Sequence, residues 1–140
     1  MSISTFSDGI RAVDTLPELI SHNGEYLYFR TDFHWNGPAA YYAYETFCQM
    51  KGITPYTMQQ RPAYEFGGFL GGLYWLSTGE DPLIGATPDT VYAYGPYSPD
   101  VKMTITDKNG TTFGWPVISN VSNAGSGSKY TCFAGADNPF

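Results

Sequence analysis

Residues 26–53 read YLYFRTDFHWNGPAAYYAYETFCQMKGI, and two different periodicities meet inside this stretch. From Glu25 to Thr31, aromatic residues alternate with other residues, which predicts a β-strand. From Pro38 to Lys51, apolar residues recur at helical spacing, which predicts an α-helix that Pro38 opens and Gly52 ends. The segment between the two elements, Thr-Asp-Phe-His-Trp-Asn-Gly, therefore leaves a strand and enters a helix.

The predicted helix is the most clearly marked element of the chain. Asn36 or Gly37 can cap its N-terminus. The spacing places small and apolar side chains on one face and Glu45 and Gln49 on the opposite face. The residues of the apolar face are Ala40, Ala43, Tyr44, Phe47 and Met50.

The rest of the chain is divided by glycine and proline. Residues 8–21 have helix-like spacing interrupted by Pro17, which predicts one short helix or two turns. Beyond Ile53, short aromatic-rich segments indicate a mostly β region. These segments are 64–70, 72–77, 90–95, 101–106, 111–118 and 129–134. Asn109-Gly110 predicts a tight hairpin turn within residues 101–118, and residues 119–128 read as a polar loop or linker.

Length and composition favour one domain, or part of one, with a mixed α+β fold. The chain has 140 residues with 12 Tyr, 9 Phe, 3 Trp, 16 Gly and 10 Pro, which is typical of a sheet-rich and loop-rich chain. The expected organisation within 1–140 is a strand and helix unit over 1–55, followed by a β-rich, mostly antiparallel segment over 56–140.

Charge and hydropathy restrict the partners. Seven Lys and Arg against 13 Asp and Glu give a net charge of −6, which argues against nucleic acid and anionic membrane surfaces. No apolar run reaches the ~20 residues that span a bilayer, and the first 16 residues lack signal-peptide character. We predict no cofactor and no metal site. Cys48 and Cys132 are expected to be buried thiols, with pairing as the alternative in an exported protein.

The clearest chemical candidate is the pair Asp32 and His34. In an extended chain, residues two apart project to the same side, so Asp32 could orient His34 as an acid orients a general base. The following helix N-terminus would favour a neutral imidazole that can accept a proton. The alternatives are a local hydrogen bond that closes a turn, or two ligands of an incomplete metal site.

Other candidates have a simpler structural interpretation. His22 is expected to be solvated or to cap a helix, and Ser77 and Ser126 to lie in a turn and a flexible loop. FGGFLGG at 66–72 lacks the order of a phosphate-binding loop, so close backbone packing or a bent strand explains it better. The scattered acidic residues are expected in turns rather than in a calcium loop. They are Asp81, Asp89, Asp100, Asp107 and Asp137.

Some of the aromatic residues could bind a ligand. An aromatic ring can pack against the apolar face of a sugar, and Tyr74, Trp75 and Trp115 are candidates for such a platform, with Trp35 as a further substrate-binding candidate. Most of the rings must instead fill the core, because Tyr outnumbers Leu in this chain.

Residues 26–53 resemble the signature of the bacterial DHHW family. That signature has an aromatic strand, Thr-Asp-His-His-Trp-Thr, a helix rich in Ala and Tyr, and a closing Gly-Ile. The stretch is also similar to alginate O-acetyltransferase-like proteins, in which Thr-Asp-x-His-Trp introduces the same step. The later segments Glu65–Gly68, Leu73–Gly79, Pro88–Tyr92 and Lys129–Tyr130 with Asp137–Pro139 echo the family more weakly.

The resemblance implies an SGNH-hydrolase-like domain and serine-dependent ester hydrolysis or O-acyl transfer on a glycan outside the cytoplasm. It makes Asp32 the orienting acid, His34 the base and Trp35 a packing ring, while Phe33 replaces the first His of the motif. The family serine follows much later, in a turn resembling Lys-Asp-Ser-Tyr, which these 140 residues do not contain. We therefore expect the N-terminal part of such an enzyme, inactive alone.

A non-catalytic function is the alternative. The aromatic excess and the missing serine also fit a non-catalytic, β-rich module that binds glycans or another surface, with Asp32 and His34 only closing a turn. An incompletely covered sheet edge could also pair two copies of the chain into a homodimer.

Overall fold

A computed structural model describes residues 11–77 and 87–133 of the chain. Within these ranges, three α-helices, four strands and two 3₁₀ helices form a mixed α+β fold, as the sequence predicted. The α-helices are α1 (Leu16–Ser21), α2 (Gly37–Lys51) and α3 (Gly72–Leu76), and the strands are β1 (Ala63–Phe69), β2 (Asp89–Tyr94), β3 (Met103–Thr106) and β4 (Thr112–Trp115). The 3₁₀ helices are Met58–Gln60 and Ser126–Cys132.

Helix α2 confirms the prediction and begins one residue earlier. Asn36 is the N-cap, and its side chain accepts a hydrogen bond from the Ala39 N–H. Pro38 lies in the first turn, where its missing N–H has no helical partner to lose. Gly52 ends the helix at φ +67°, a left-handed conformation that glycine adopts without strain.

The buried face of α2 differs from the predicted apolar face. The buried side chains are Ala39, Tyr41, Tyr42 and Cys48, whereas Ala40 and Phe47 are exposed. Tyrosine can bury its ring while its hydroxyl keeps a polar partner, which the apolar periodicity does not capture. The hydroxyls of Tyr41 and Tyr42 donate to Glu45 and Glu25, both at 2.7 Å.

Strands β1 and β2 form an antiparallel pair with an irregularity between Gly67 and Phe69. Gly68 lies there at φ +79°, so the bent strand predicted for residues 66–72 is confirmed. Along β2, Asp89, Val91 and Ala93 are all buried. The inner face of this pair joins one core cluster, which contains Phe29, Phe66, Phe69, Val91, Ala93, Val121 and Cys132. A second cluster contains Leu19, Leu27, Ala39, Tyr41 and Tyr42.

Strands β3 and β4 form the predicted hairpin, in antiparallel register from Met103 opposite Trp115 to Thr106 opposite Thr112. Gly110 has φ +81° in the turn, which the Asn-Gly pair predicted. The Asp107 carboxylate accepts the N–H groups of Asn109 and Thr111, so Asp107 lies in a turn as expected.

The segment 25–31 does not pair as the strand that the sequence predicted, although its side chains alternate between buried and exposed as predicted. Only one isolated antiparallel bridge, Tyr28 opposite Trp35, forms in this segment. Leu27, Phe29 and Thr31 are nevertheless buried in alternation with exposed residues. The N–H groups of residues 30 and 31 donate to the Asp89 carboxylate instead of to a neighbouring strand.

Two further segments depart from the mostly β interpretation. Residues 72–76 form α3, and most of 129–134 belongs to the second 3₁₀ helix, with residue 134 outside the described residues. Residues 119–125 are irregular, as the predicted loop or linker requires, whereas Ser126, expected in the loop, is the first residue of that helix. Pro17 occupies the first turn of α1 and therefore opens this helix instead of interrupting it; residues 8–10 of that prediction lie outside the described residues.

The two cysteines are buried free thiols, as predicted. Burial raises the pKa of Cys132 to about 11, so its thiol stays protonated and unreactive near neutral pH. No helix in the described part of the chain combines the length and apolar character needed to cross a membrane.

Candidate functional site

A tight turn brings Asp32 and His34 together. Asp32 Oδ1 accepts the backbone N–H of His34 at 3.0 Å and lies 2.5 Å from His34 Nδ1. The contact therefore arises from a turn that the Asp32 side chain closes, and not from an extended strand as the spacing predicted. The carboxylate contacts the backbone and the ring of the same residue, which restrains the imidazole.

This arrangement selects one tautomer of a neutral imidazole. Because carboxylate Oδ1 can only accept, Nδ1 carries the proton that it shares with Asp32, and Nε2 is left as an acceptor. The His34 side chain is 63% exposed, and no described residue hydrogen bonds its Nε2. His34 can therefore accept a proton from a molecule that approaches from outside.

The other carboxylate oxygen of Asp32 is held by the start of α3. The Gly72 N–H donates to Oδ2 at 2.6 Å. Burial by itself raises the pKa of Asp32, but the hydrogen bonds from Gly72 and His34 outweigh it and leave the pKa below its usual range. The helix start that contacts the pair is thus that of α3, and not that of α2, which the sequence had suggested.

Gly71 allows the backbone before α3 to lie close to the Asp32 side chain. A Cβ atom on Gly71 would lie 2.3 Å from the Cβ and Oδ2 atoms of Asp32, far inside contact distance. Only a residue without a side chain fits between the end of β1 and Asp32. The glycines of residues 66–72 therefore serve the backbone packing that the sequence analysis proposed for them.

A second, fully buried carboxylate holds the residues just before the pair. Asp89 Oδ2 accepts the Thr31 N–H at 2.7 Å and the Thr31 hydroxyl at 2.6 Å. Its Oδ1 accepts the Arg30 N–H at 3.0 Å and the Tyr26 hydroxyl. Burial raises the pKa of Asp89, but the bonds from Thr31, Tyr26 and Arg30 outweigh it and lower the pKa, so Asp89 is ionised at neutral pH.

The turn predicted at Asp89 is wrong. Asp89 is the first residue of β2 and is completely buried. A signal was present in the sequence, because residues 89, 91 and 93 project to one face of a strand and two of them are apolar. Of the other acidic residues, Asp100 lies in a turn, and Asp81 and Asp137 lie outside the described residues.

Asp32 and His34 line a cavity of about 490 Å³. Its other walls include Gly71, Gly72, Trp75, Tyr130 and Phe133. Tyr130 stacks on the His34 ring, with the ring centroids 5.5 Å apart and an angle of 23° between the planes. Tyr130 thus supports one face of the imidazole, a contact that the sequence analysis missed.

The aromatic residues predicted as ligand-binding candidates do not form one common site. Trp75 lines the cavity, is 54% exposed, and donates its Nε1–H to the Leu70 carbonyl at 2.8 Å. Tyr74 lies against Trp75 in an edge-on contact but does not line this cavity. Trp35 lines a neighbouring cavity, and Trp115 lies in β4 against Phe113.

No serine completes the pair in the described residues, since no serine hydroxyl there hydrogen bonds His34. Ser77 follows α3, and its hydroxyl donates to the Tyr74 carbonyl. Ser126 begins the second 3₁₀ helix. In the same ranges, no three His, Cys, Asp or Glu side chains are grouped as a metal site requires.

His22 has a structural role, as expected. It is the C-cap residue of α1, its Nδ1 lies 2.7 Å from Glu25, and its ring stacks on Tyr42 with centroids 3.8 Å apart. The hydrogen bond to Glu25 raises the pKa of His22.

Comparison with known proteins gives one family. A family profile described as "DHHW protein" matches residues 10–140. The crystal structure of a DHHW family protein from Eubacterium siraeum DSM 15702 superimposes with a TM-score of 0.73 and 30% sequence identity, covering 89% of this chain and 41% of that one. The chain thus spans about two-fifths of that relative's length. No curated protein sequence matches.

Proposed function

The chain belongs to the DHHW family, and we propose that its Asp32–His34 pair is the acid and base of a serine-dependent esterase or O-acyltransferase. The observation that carries the proposal is the 2.5 Å contact between Asp32 Oδ1 and His34 Nδ1, with Nε2 unpaired among the described residues. Such a pair orients and polarises an imidazole for proton transfer.

In this mechanism, His34 Nε2 takes the proton from a serine hydroxyl as the serine oxygen attacks an ester carbonyl. Asp32 stabilises the imidazolium that forms. The imidazolium then gives its proton to the departing alcohol oxygen, and an acyl-serine remains. Water or a second alcohol, activated in turn by Nε2, releases the acyl group as an acid or as a new ester.

The serine is proposed to come from a segment of the longer protein outside these 140 residues. Two observations support this: the absence of a serine partner for His34 among the described residues, and the greater length of the crystallised relative. The order Thr-Asp-x-His-Trp, followed by a helix, supports a relation to SGNH-hydrolase-like and alginate O-acetyltransferase-like proteins. A glycan substrate outside the cytoplasm rests on this resemblance alone.

Hydrolysis of p-nitrophenyl acetate tests the proposal. This chain should not release nitrophenol above the rate of an equal concentration of imidazole, because a base without its nucleophile cannot form the acyl-enzyme. A longer protein that contains this chain should be active, and His34→Ala should lower kcat/KM at least 100-fold, while His22→Ala leaves it within twofold. If this chain hydrolyses the ester faster than imidazole does, and His34→Ala abolishes that activity, the proposal that the serine lies outside these residues is wrong. If the longer protein keeps full activity with His34→Ala, the proposal that His34 is the base is wrong.

A second candidate function is glycan binding without catalysis, and the exposed Trp75 beside Asp32 and His34 favours it. An exposed indole on a cavity wall is a suitable platform for a sugar ring. Glycan-array binding that survives His34→Ala and is lost in Trp75→Ala would support this candidate. Trp115→Ala is the matched control, because Trp115 lies in the β3–β4 hairpin.

A further inference from the structure

A second cavity, of about 460 Å³, lies next to the one that holds Asp32 and His34. Its walls are mostly aromatic, and six rings contribute to them: Trp35, Tyr41, Tyr44, Tyr94, Tyr130 and Phe133. Tyr130 and Phe133 line both cavities and separate them. The volume lies in the range of small-molecule sites, which is about 300–1,000 Å³.

Arg61 supplies the charged side chain on these walls. Its guanidinium carbon lies 5.4 Å from the ring centroid of Tyr44 and 6.0 Å from that of Tyr56, so aromatic faces hold it in place. Within the described residues, Arg61 forms no ion pair, and its buried Nε has no hydrogen-bond partner.

An arginine in this state has unused binding capacity. A buried donor without an acceptor costs about 1–3 kcal/mol, and a planar guanidinium is suited to two parallel hydrogen bonds with a carboxylate. Aromatic side chains beside the guanidinium lower the local polarity and strengthen such a contact. A single cation balances one negative charge, which matches a carboxylate better than a doubly charged phosphate.

We propose that this cavity binds a small molecule that has a ring-shaped apolar body and a carboxylate. Arg61 holds the carboxylate, and the surrounding rings pack against the body. This proposal goes beyond the acyl-transfer chemistry, because the cavity contains neither Asp32 nor His34 among its lining residues, although Tyr130 and Phe133 belong to both cavities.

Titration with benzoate, followed by the backbone amide signals in NMR spectra, tests the site, with benzyl alcohol as the uncharged probe of similar shape. Benzoate should shift the signals of Trp35, Gly37 and Arg61 saturably and bind at least fivefold more tightly than benzyl alcohol. Arg61→Gln should remove this preference. Lys51→Gln, which removes the same charge from an exposed position on α2, should leave it within twofold.

Equal affinity for the two probes in the unsubstituted chain would overturn the proposal, and that comparison requires no variant to fold. Benzoate shifts centred outside the cavity would overturn it as well. So would an equal loss of benzoate affinity in Lys51→Gln and Arg61→Gln, because attraction to net charge would then explain the binding.

Discussion

At the scale of single residues, Asp89 determines where Asp32 and His34 can lie. Its carboxylate accepts two backbone N–H groups and two hydroxyls from residues 26, 30 and 31. Those residues come directly before the turn that pairs Asp32 with His34, so β2 fixes the entry into the turn. Asp89 is a positioning residue, since its hydrogen bonds and ion pair within the described residues go to Tyr26, Arg30 and Thr31 and not to the imidazole.

Asp89→Asn should destabilise the chain by about 3 kcal/mol, because an amide offers one acceptor oxygen where the carboxylate offers two and places N–H groups against N–H donors. Urea unfolding at pH 7 measures this loss. Asp100→Asn, at an exposed turn, is the matched control and should change stability by less than about 0.5 kcal/mol.

The effect of Asp89→Asn on stability should also depend on pH. The pKa of Asp89 is lower in the folded chain than its usual value, so the carboxylate contributes stability above about pH 4 that is lost as the pH falls through the folded pKa. The difference in stability between the unsubstituted chain and Asp89→Asn should therefore shrink in acid. A difference that stays constant from pH 7 to pH 3 would contradict an ionised Asp89.

Gly71→Ala should displace Asp32, because the new Cβ would overlap the carboxylate. We expect a loss of about 2 kcal/mol in stability and a change in the ring signals of His34. Gly24→Ala is the control, since a Cβ there would meet nothing within 4 Å. Unchanged His34 signals in a folded Gly71→Ala protein would show that Asp32 does not depend on this close approach.

At the scale of elements, local signals predicted α2 and the β3–β4 hairpin well. Asn36, Pro38 and Gly52 mark the ends of the helix, and Asn109-Gly110 marks the turn. Each of them acts on backbone within a few residues of itself, so no distant residue is needed. The strand expected over 25–31 failed because its N–H partners come from Asp89, about 58 residues away in sequence. Likewise, no sequence pattern near Asp32 predicts that the first residue of α3 hydrogen bonds to it, because the two are 40 residues apart.

Asn36 connects α2 to the chain before the turn. Its side chain accepts from the Ala39 N–H and donates to the Tyr26 carbonyl at 2.5 Å, and it is 2% exposed. Asn36→Ala should cost about 2–3 kcal/mol, because the helix loses its cap and a carbonyl loses its donor. Thermal unfolding should show this, with Gln49→Ala on the exposed face of α2 as a nearly neutral control.

At the scale of the whole molecule, the segment before the turn shares a core cluster with the β1–β2 pair. Phe29, from that segment, packs in the same cluster as Phe66 and Phe69 of β1 and Val91 of β2. The Asp32–His34 turn therefore follows directly on a segment that packs against these two strands. Asp32 and His34 were predicted from the local motif, whereas the cavity walls Gly71, Trp75 and Tyr130 come from distant segments.

Pairing of two copies of the chain remains a prediction. In the described residues, β1 pairs only with β2 and β3 only with β4, so each two-stranded sheet has strand edges without a further strand. Light scattering after size-exclusion chromatography should show the mass doubling as concentration rises. A constant mass of 15.4 kDa at millimolar concentration would contradict it.

Asp32 holds His34 with Nε2 ready to accept a proton, and long-range ¹H–¹⁵N NMR spectra of the imidazole show which ring nitrogen carries the proton. At pH 8, His34 should have a protonated Nδ1 and an unprotonated Nε2, and this preference should disappear in Asp32→Ala but persist in Asp14→Ala. A proton on Nε2 in the unsubstituted chain, or a tautomer unchanged by Asp32→Ala, would show that Asp32 does not orient the imidazole.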